Sequence, residues 1–141
     1  MLNQEVRKIM TTKPTIASSN QTLEELTQLM LDAGVQQLPV VDEGQLVGMV
    51  TTHDLWKHTT NKNDSETTNV SQIMSRNIIK ISPLDKVGTA AELFMDKRFK
   101  TLPVVNLKNE LKGVVTAFDV IKYTLKKEYK EPILYKEIIA D

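Results

Sequence analysis

The chain has 141 residues, and Lys+Arg and Asp+Glu both number 18, so its formal net charge is zero. That length suits about one domain with a real core and excludes a (β/α)8 barrel, which takes about 250 residues. The lack of cysteine removes disulfides, thiolate zinc sites and thiol catalysis. The balanced charge removes any global pull toward nucleic acid or anionic membrane.

No apolar run approaches the ~18 residues that span a bilayer. The first eight residues lack the basic-then-apolar order of a secretory leader. A cytoplasmic chain with no membrane and no nucleic-acid partner is therefore expected. With two histidines and no cysteine, the sequence supports binding over catalysis.

The first informative block is Val6-Arg7-Lys8-Ile9-Met10-Thr11, because it returns 64 positions on as Val70-Ser71-Gln72-Ile73-Met74-Ser75. Met10 and Met74 are expected in core or inter-repeat packing. Thr15-Ile16-Ala17 then reads as a short strand. Thr22 and Glu25 have capping-box spacing, and Leu23, Leu26, Met30 and Ala33 form the apolar stripe of a helix that Gly34 is suited to end. Leu38–Val41 and Leu46–Val50 predict a hairpin around Asp42-Glu43-Gly44-Gln45, with Pro39 at a strand start or edge. A helix from Thr52 to about His58 follows. The polar stretch 59–69 holds no large apolar residue and reads as a linker, centred on 61–69.

The second half repeats the order. Ile78–Ile81 reads as a strand, Asp85 as a helix cap, and Val87, Ala90, Ala91 and Phe94 as the inward face. Leu38-Pro39-Val40-Val41 returns 64 positions on as Leu102-Pro103-Val104-Val105. Gly48-Met49-Val50-Thr51-Thr52-His53-Asp54 returns 65 positions on as Gly113-Val114-Val115-Thr116-Ala117-Phe118-Asp119, one residue having entered the turn. A helix from Ala117 to about Lys130 is stopped by Pro132. The apolar tail 131–141, with Ile133, Leu134, Tyr135, Ile138 and Ile139, is expected to dock on the fold or on a second subunit.

Together these blocks predict an α+β fold of two pseudo-symmetric strand–helix–strand–strand–helix repeats, at 1–60 and 70–130. Neither repeat closes a core alone. Packed sheet to sheet, they would leave clefts along a pseudo-twofold axis.

The doubled Gly-apolar-Val-Thr-x-x-Asp pattern has two readings. In one, Thr51 and Thr116 cap helices, with Asp54 and Asp119 as their N3 acids. In the other, the same strand-to-helix junction presents free N–H groups to phosphate. Its Thr donates to phosphate, and its Asp accepts from the vicinal hydroxyls of a ribose. Gly48 and Gly113 would then permit close backbone approach. His53 and His58 are five apart, outside the four-residue spacing that pairs ligands on one helix face, so no metal site is expected.

The Ile-Met-Thr/Ser opening, the Leu-Pro-Val-Val strand and Gly-apolar-Val-Thr-x-x-Asp, each present twice, make the sequence resemble a tandem pair of CBS domains, a Bateman module, over about residues 4–130. The resemblance implies a non-catalytic regulatory module. It would bind an adenosine-containing ligand (AMP, ADP, ATP or S-adenosylmethionine) in one or both inter-repeat clefts and require no other cofactor. Carried over by position, Asp54 and Asp119 match the ribose-holding residues, and Thr51 and Thr116 lie near ribose or phosphate. His53 and Phe118 line the pocket. Thr15 and Ile16, with Ile79 and Lys80, frame adenine, and Val40 and Val104 floor the cleft. Where many nucleotide-binding pairs carry His or Arg before the Leu-Pro-Val strand, this chain has Gln36-Gln37 and Lys100-Thr101. Lys80, Arg98, Lys100 or His53 would have to supply a cation. The resemblance also implies a homodimer and an effector protein. The alternative is a ligand-free interaction module.

Overall fold

The computed structural model describes residues 2–59, 66–96 and 99–128. Arg98 and the tail 131–141 lie outside the described residues, as do 60–65 of the polar stretch and the last turn expected of the final helix.

After a 3-10 turn at Val6–Lys8, the elements are α1 (Leu23–Ala33), β1 (Gln37–Asp42), β2 (Gln45–Thr51), α2 (Thr52–His58), α3 (Val70–Ile73), α4 (Val87–Phe94), β3 (Thr101–Val105), β4 (Leu111–Thr116) and α5 (Ala117–Glu128). Strands β1 and β2 form one antiparallel hairpin, and β3 and β4 the other. The Thr22/Glu25 capping box opens α1, and Gly34 ends it with a left-handed φ of 65°. Leu23, Leu26 and Met30 are the buried stripe between them.

Each repeat hands its opening segment to the other. One apolar cluster joins Ala17, Leu23, Leu26, Leu38, Val40 and Val50 to Val70, Ile73 and Met74. The other joins Ile81, Ala90, Leu102, Val104 and Val115 to Val6, Ile9 and Met10. The exchange also extends both sheets. Thr11 and Val114 trade backbone hydrogen bonds at 2.8 and 3.0 Å, and Ser75 and Met49 do the same at 2.8 and 3.0 Å. Met10 and Met74 thus serve inter-repeat packing. Each fully buried valine of the exchanged segments (Val6, Val70) contributes about 1.5–3 kcal/mol that its own repeat would not receive.

Glycine makes the exchange sterically feasible. A Cβ on Gly48 would lie 2.7 Å from Met74 Sδ and 3.0 Å from the Ser75 carbonyl. A Cβ on Gly113 would collide with the Thr11 carbonyl and stand 3.1 Å from Met10 Sδ. The close approach expected at these glycines is therefore to the exchanged chain, on the face already filled by protein.

Three local expectations need correction. The first strands at Thr15–Ala17 and Ile78–Ile81 reduce to single parallel bridges, Ala17 with Val40 and Ile81 with Val104. The cause is proline. Ala17 donates to the Pro39 carbonyl (2.9 Å) and accepts from Val41 (2.8 Å), so the next donor in the ladder would be the N–H that Pro39 lacks. Pro103 interrupts the ladder beside Ile81 in the same way. Both prolines are the third residue of their strands and are flanked on both sides, away from any start or edge. Finally, Asp85 does not cap α4. Its carboxylate accepts from the Ser82 amide at 2.7 Å and closes the preceding turn, while Lys86 holds the N-cap position without a side-chain bond. Asp85 is the repeat equivalent of Gln21, whose side chain accepts from the Ser18 amide at 2.8 Å.

Asp42 at the end of β1 anchors the segment before α1. The Ser19 hydroxyl and amide, with the Ser18 hydroxyl, donate to its carboxylate. These bonds, the Ser19 hydroxyl foremost, hold its pKa below the usual carboxylate value despite an opposing contribution from burial.

Two outcomes follow from these contacts. Gly113→Ala should destabilise by about 1–3 kcal/mol, and by more than Gly48→Ala, because Thr11 presents rigid backbone where Met74 presents a thioether that can turn; urea unfolding of both variants checks the order. A depressed folded pKa means that Asp42 stabilises above its unfolded value near 3.9 and ceases to as pH falls through its folded value. Asp42→Asn should therefore lower Tm at pH 7, with the difference from the parent closing as pH falls through the folded pKa, read by melts across pH.

Candidate functional site

The two Thr-x-x-Asp motifs form matching capping boxes. The Thr51 amide donates to Asp54 Oδ2 at 3.0 Å, and the Asp54 amide donates to Thr51 Oγ1 at 3.0 Å. The Thr116 amide donates to Asp119 Oδ2 at 2.9 Å, and the Asp119 amide to Thr116 Oγ1 at 3.1 Å. Capping is thus a real role of all four side chains. It consumes one carboxylate oxygen of each Asp, and Oδ1 of each keeps no hydrogen-bond partner among the described residues. All four residues are half-buried.

Register places the remaining groups. Gln37 pairs with Thr51 and Thr101 pairs with Thr116. On the other side of β1 and β3, the Ala17 and Ile81 bridges lead back to Thr15-Ile16 and Ile79-Lys80. The start of β1 or β3 therefore lies between one capping box and one first-strand segment. The proline gap matters here, because it removes the donor that would face the Thr15 or Ile79 carbonyl, and no described residue bonds the backbone groups of either. A planar ring bearing a donor and an acceptor can pair with such groups. Ile16 and Ile79 are both exposed beside them.

Other expected residues fall differently. Val40 and Val104 are fully buried inside the two clusters, so their side chains are core and do not line an open cleft floor. His53 is exposed, with its ring 6.2 Å from that of Trp56. Phe118 is exposed on the first turn of α5. Among the described residues, no three His, Cys, Asp or Glu side chains are grouped to hold a metal. No described helix is long and apolar enough to cross a membrane.

The seam between the repeats carries polar contacts that the motifs did not reveal. Gln37 Oε1 accepts from the Lys100 amide at 3.2 Å and the Thr101 amide at 2.9 Å. Lys100 Nζ donates to Gln36 Oε1 at 3.1 Å. Asn109 accepts from the Leu46 amide at 3.1 Å through its carbonyl and donates to the Leu46 carbonyl at 2.8 Å through its side chain. Lys80 Nζ donates to Asn109 Oδ1 at 2.7 Å. Gln36 and Lys100 are repeat equivalents, as are Gln37 and Thr101, so equivalent residues meet each other, as a twofold axis requires. Asn109 is in the turn that is one residue longer, in a left-handed conformation (φ 62°). The inserted residue was the available signal for this contact.

Comparison with known proteins agrees with this architecture. The CBS domain family model matches residues 6–55 and 70–126. The chain is 33% identical over 132 residues to protein MJ1225 of Methanocaldococcus jannaschii, covering 86% of this chain and 47% of that protein. It thus spans about half the length of that relative. Among solved structures, the CBS domain pair of MJ0100 in complex with 5'-methylthioadenosine and S-adenosyl-L-methionine has a TM-score of 0.74 at 28% identity, covering 88% of this chain and 98% of that one. CBSX2 of Arabidopsis thaliana in complex with AMP has a TM-score of 0.78 at 25% identity, again covering 88% and 98%.

The capping geometry yields a stability test independent of any ligand. Thr51→Ala and Thr116→Ala should each lower the unfolding free energy by about 1 kcal/mol, and the serine variants should recover most of that loss. Denaturant titration measures both.

Proposed function

Because the chain belongs to the CBS-domain family, we propose that it is a regulatory module that binds an adenosine-containing ligand in the clefts between its two repeats. The observation that carries this reading is the pairing, in each repeat, of an unused Asp carboxylate oxygen with an unpaired first-strand backbone. Asp54 and Asp119 hold the ribose hydroxyls. The Thr15 and Ile79 backbones pair with adenine, with Ile16 and Ile79 covering its face. Thr51 and Thr116 keep each Asp in place and offer a hydroxyl toward the ribose or phosphate. His53 and Phe118 form the outer wall. Relatives solved with AMP, 5'-methylthioadenosine and S-adenosyl-L-methionine support an adenosine-class occupant. No metal and no catalytic group enter this reading, and the chain works by changing shape. A ligand touching both repeats favours the seam arrangement that fits it, and an effector protein in the cytoplasm reads the difference.

A second feature favours self-association. None of the described side chains of α5 is buried. Phe118, Ile121 and Leu125 are 68%, 55% and 52% exposed at helical spacing, and Trp56 on α2 is 67% exposed. These faces pair with those of a second copy, making a homodimer. The same faces are the specific ground for the alternative of a ligand-free interaction module.

Native mass spectrometry of the purified chain, with and without AMP, 5'-methylthioadenosine and S-adenosylmethionine, separates the two. A dimer retaining at least one adenosine ligand is expected. Asp54→Ala with Asp119→Ala should weaken that retention by about tenfold or more, the scale of lost hydrogen bonds to a charged group. A dimer that retains none of the three, and that the double variant leaves unchanged, selects the interaction module.

A further inference from the structure

Gln37 and Thr101 are repeat equivalents that meet across the seam, yet the bonding between them runs one way. Gln37 Oε1 accepts from the Lys100 amide at 3.2 Å and from the Thr101 amide at 2.9 Å. Both donors are main chain, so one side-chain oxygen of the first repeat fixes where β3 of the second begins. The Thr101 hydroxyl stands on Cβ, two carbons short of the reach of a glutamine carbonyl, so the second repeat cannot return the contact in kind. The neighbouring bond from Lys100 Nζ to Gln36 Oε1 joins two exposed side chains and constrains neither backbone.

Gln37 also lies between the two capping boxes. Its backbone faces Thr51, the cap of α2, in the β1–β2 ladder, and the Gln36 carbonyl accepts from the Thr52 amide at 2.9 Å. Thr101 faces Thr116, which is bonded to Asp119 in the second box. Contacts therefore run from Asp54 through Thr51, Gln37, Thr101 and Thr116 to Asp119. Ladder pairing or capping sets every step except the crossing one, which is the Gln37 side chain. At the other end of the seam Asn109 and Leu46 hold the two hairpin turns together through main chain and side chain. With the turns tied there, a shift of either strand start pivots about that end, and Gln37 carries the shift to the other start.

We propose that Gln37 is a positioning residue that couples the two clefts, so that filling one raises the affinity of the other. This rests on the adenosine reading above and adds a regulation to it. A ligand that bridges a capping box and a first-strand segment fixes the strand start between them. Gln37 passes that placement to the start of the other strand. The two clefts are built from equivalent residues, so the placement that suits one suits the other, and the coupling is positive. Coupling by this route needs an element with two discrete arrangements. Here they are the Gln37 carbonyl on the two amides and off them. Neutral hydrogen bonds suit that role, being directional enough to register position and weak enough to exchange with water.

Isothermal titration of the full chain with AMP, 5'-methylthioadenosine and S-adenosylmethionine tests this, for the parent and for Gln37→Met, Gln37→Thr and Gln37→Glu. Methionine keeps the length and loses the carbonyl acceptor, and glutamate keeps an acceptor oxygen. Threonine is the side chain that the other repeat already carries at this position. The parent should take two molecules of its tightest ligand per chain, the second at least about fivefold more tightly than independent clefts would give. The methionine and threonine variants should still fill both clefts, with the steps within about twofold of independence, and the glutamate variant should restore the coupling. A purely structural role would lower both affinities alike and leave the ratio of the steps unchanged. That result overturns the coupling and leaves the adenosine reading standing. So does a parent whose second step is no tighter than independence gives, a parent saturated by one ligand per chain, or a glutamate variant that stays uncoupled. Binding of none of the three by the parent overturns the adenosine reading itself, and the coupling with it.

Discussion

The structure depends on a reciprocal exchange. Each Val-x-x-Ile-Met segment fills the apolar cluster of the opposite repeat, and each following residue extends the opposite sheet. Neither hairpin has a complete covering layer without it. The constraint is steric as well as hydrophobic, since the exchanged chain passes over Gly48 and Gly113 at distances that leave no room for a side chain. Two repeats joined this way cannot unfold separately without opening both cores, so they form one cooperative unit despite their repeated sequence.

Exchange also governs the seam. With the outer edges of β2 and β4 occupied by Ser75 and Thr11, the starts of β1 and β3 are left to meet across the pseudo-twofold axis. The contacts there are amide to amide and lysine to amide. Such bonds have modest net worth, about 0.5–1.5 kcal/mol each. The cores are dry and apolar, with no buried polar residue among those described. Polar contacts between the described side chains of the two repeats are thus confined to the seam.

Proline gives the clefts their other property. Pro39 and Pro103 sit inside flanked strands, a position proline normally avoids. Each removes one rung and leaves the backbone at Thr15 or Ile79 open. The cost is one backbone bond per repeat, and the open backbone lies across the strand from a carboxylate that capping holds in place.

Much of this was legible in the chain itself. The repeated blocks and their spacing identified the two units, the order of elements, the hairpins and the family, because local capping, turn chemistry and apolar periodicity act over a few residues. The Thr51/Asp54 and Thr116/Asp119 pairs were legible as caps, which the structure shows, and the second carboxylate oxygen of each Asp is the one proposed above for a ribose. What the chain could not show was which repeat each opening segment would cover. Val6 and Val70 carry the same pattern, and pattern alone does not distinguish a repeat's own core from its partner's. The burial of Val40 and Val104, the true neighbours of Gly48 and Gly113, and the holding of Lys80 and Lys100 by Asn109 and Gln36 were likewise settled by tertiary structure. All of them are contacts between residues far apart in sequence, from 26 positions (Gly48 to Met74) to 103 (Gly113 to Met10), where the approach of one backbone to another, rather than any local propensity, determines what meets what.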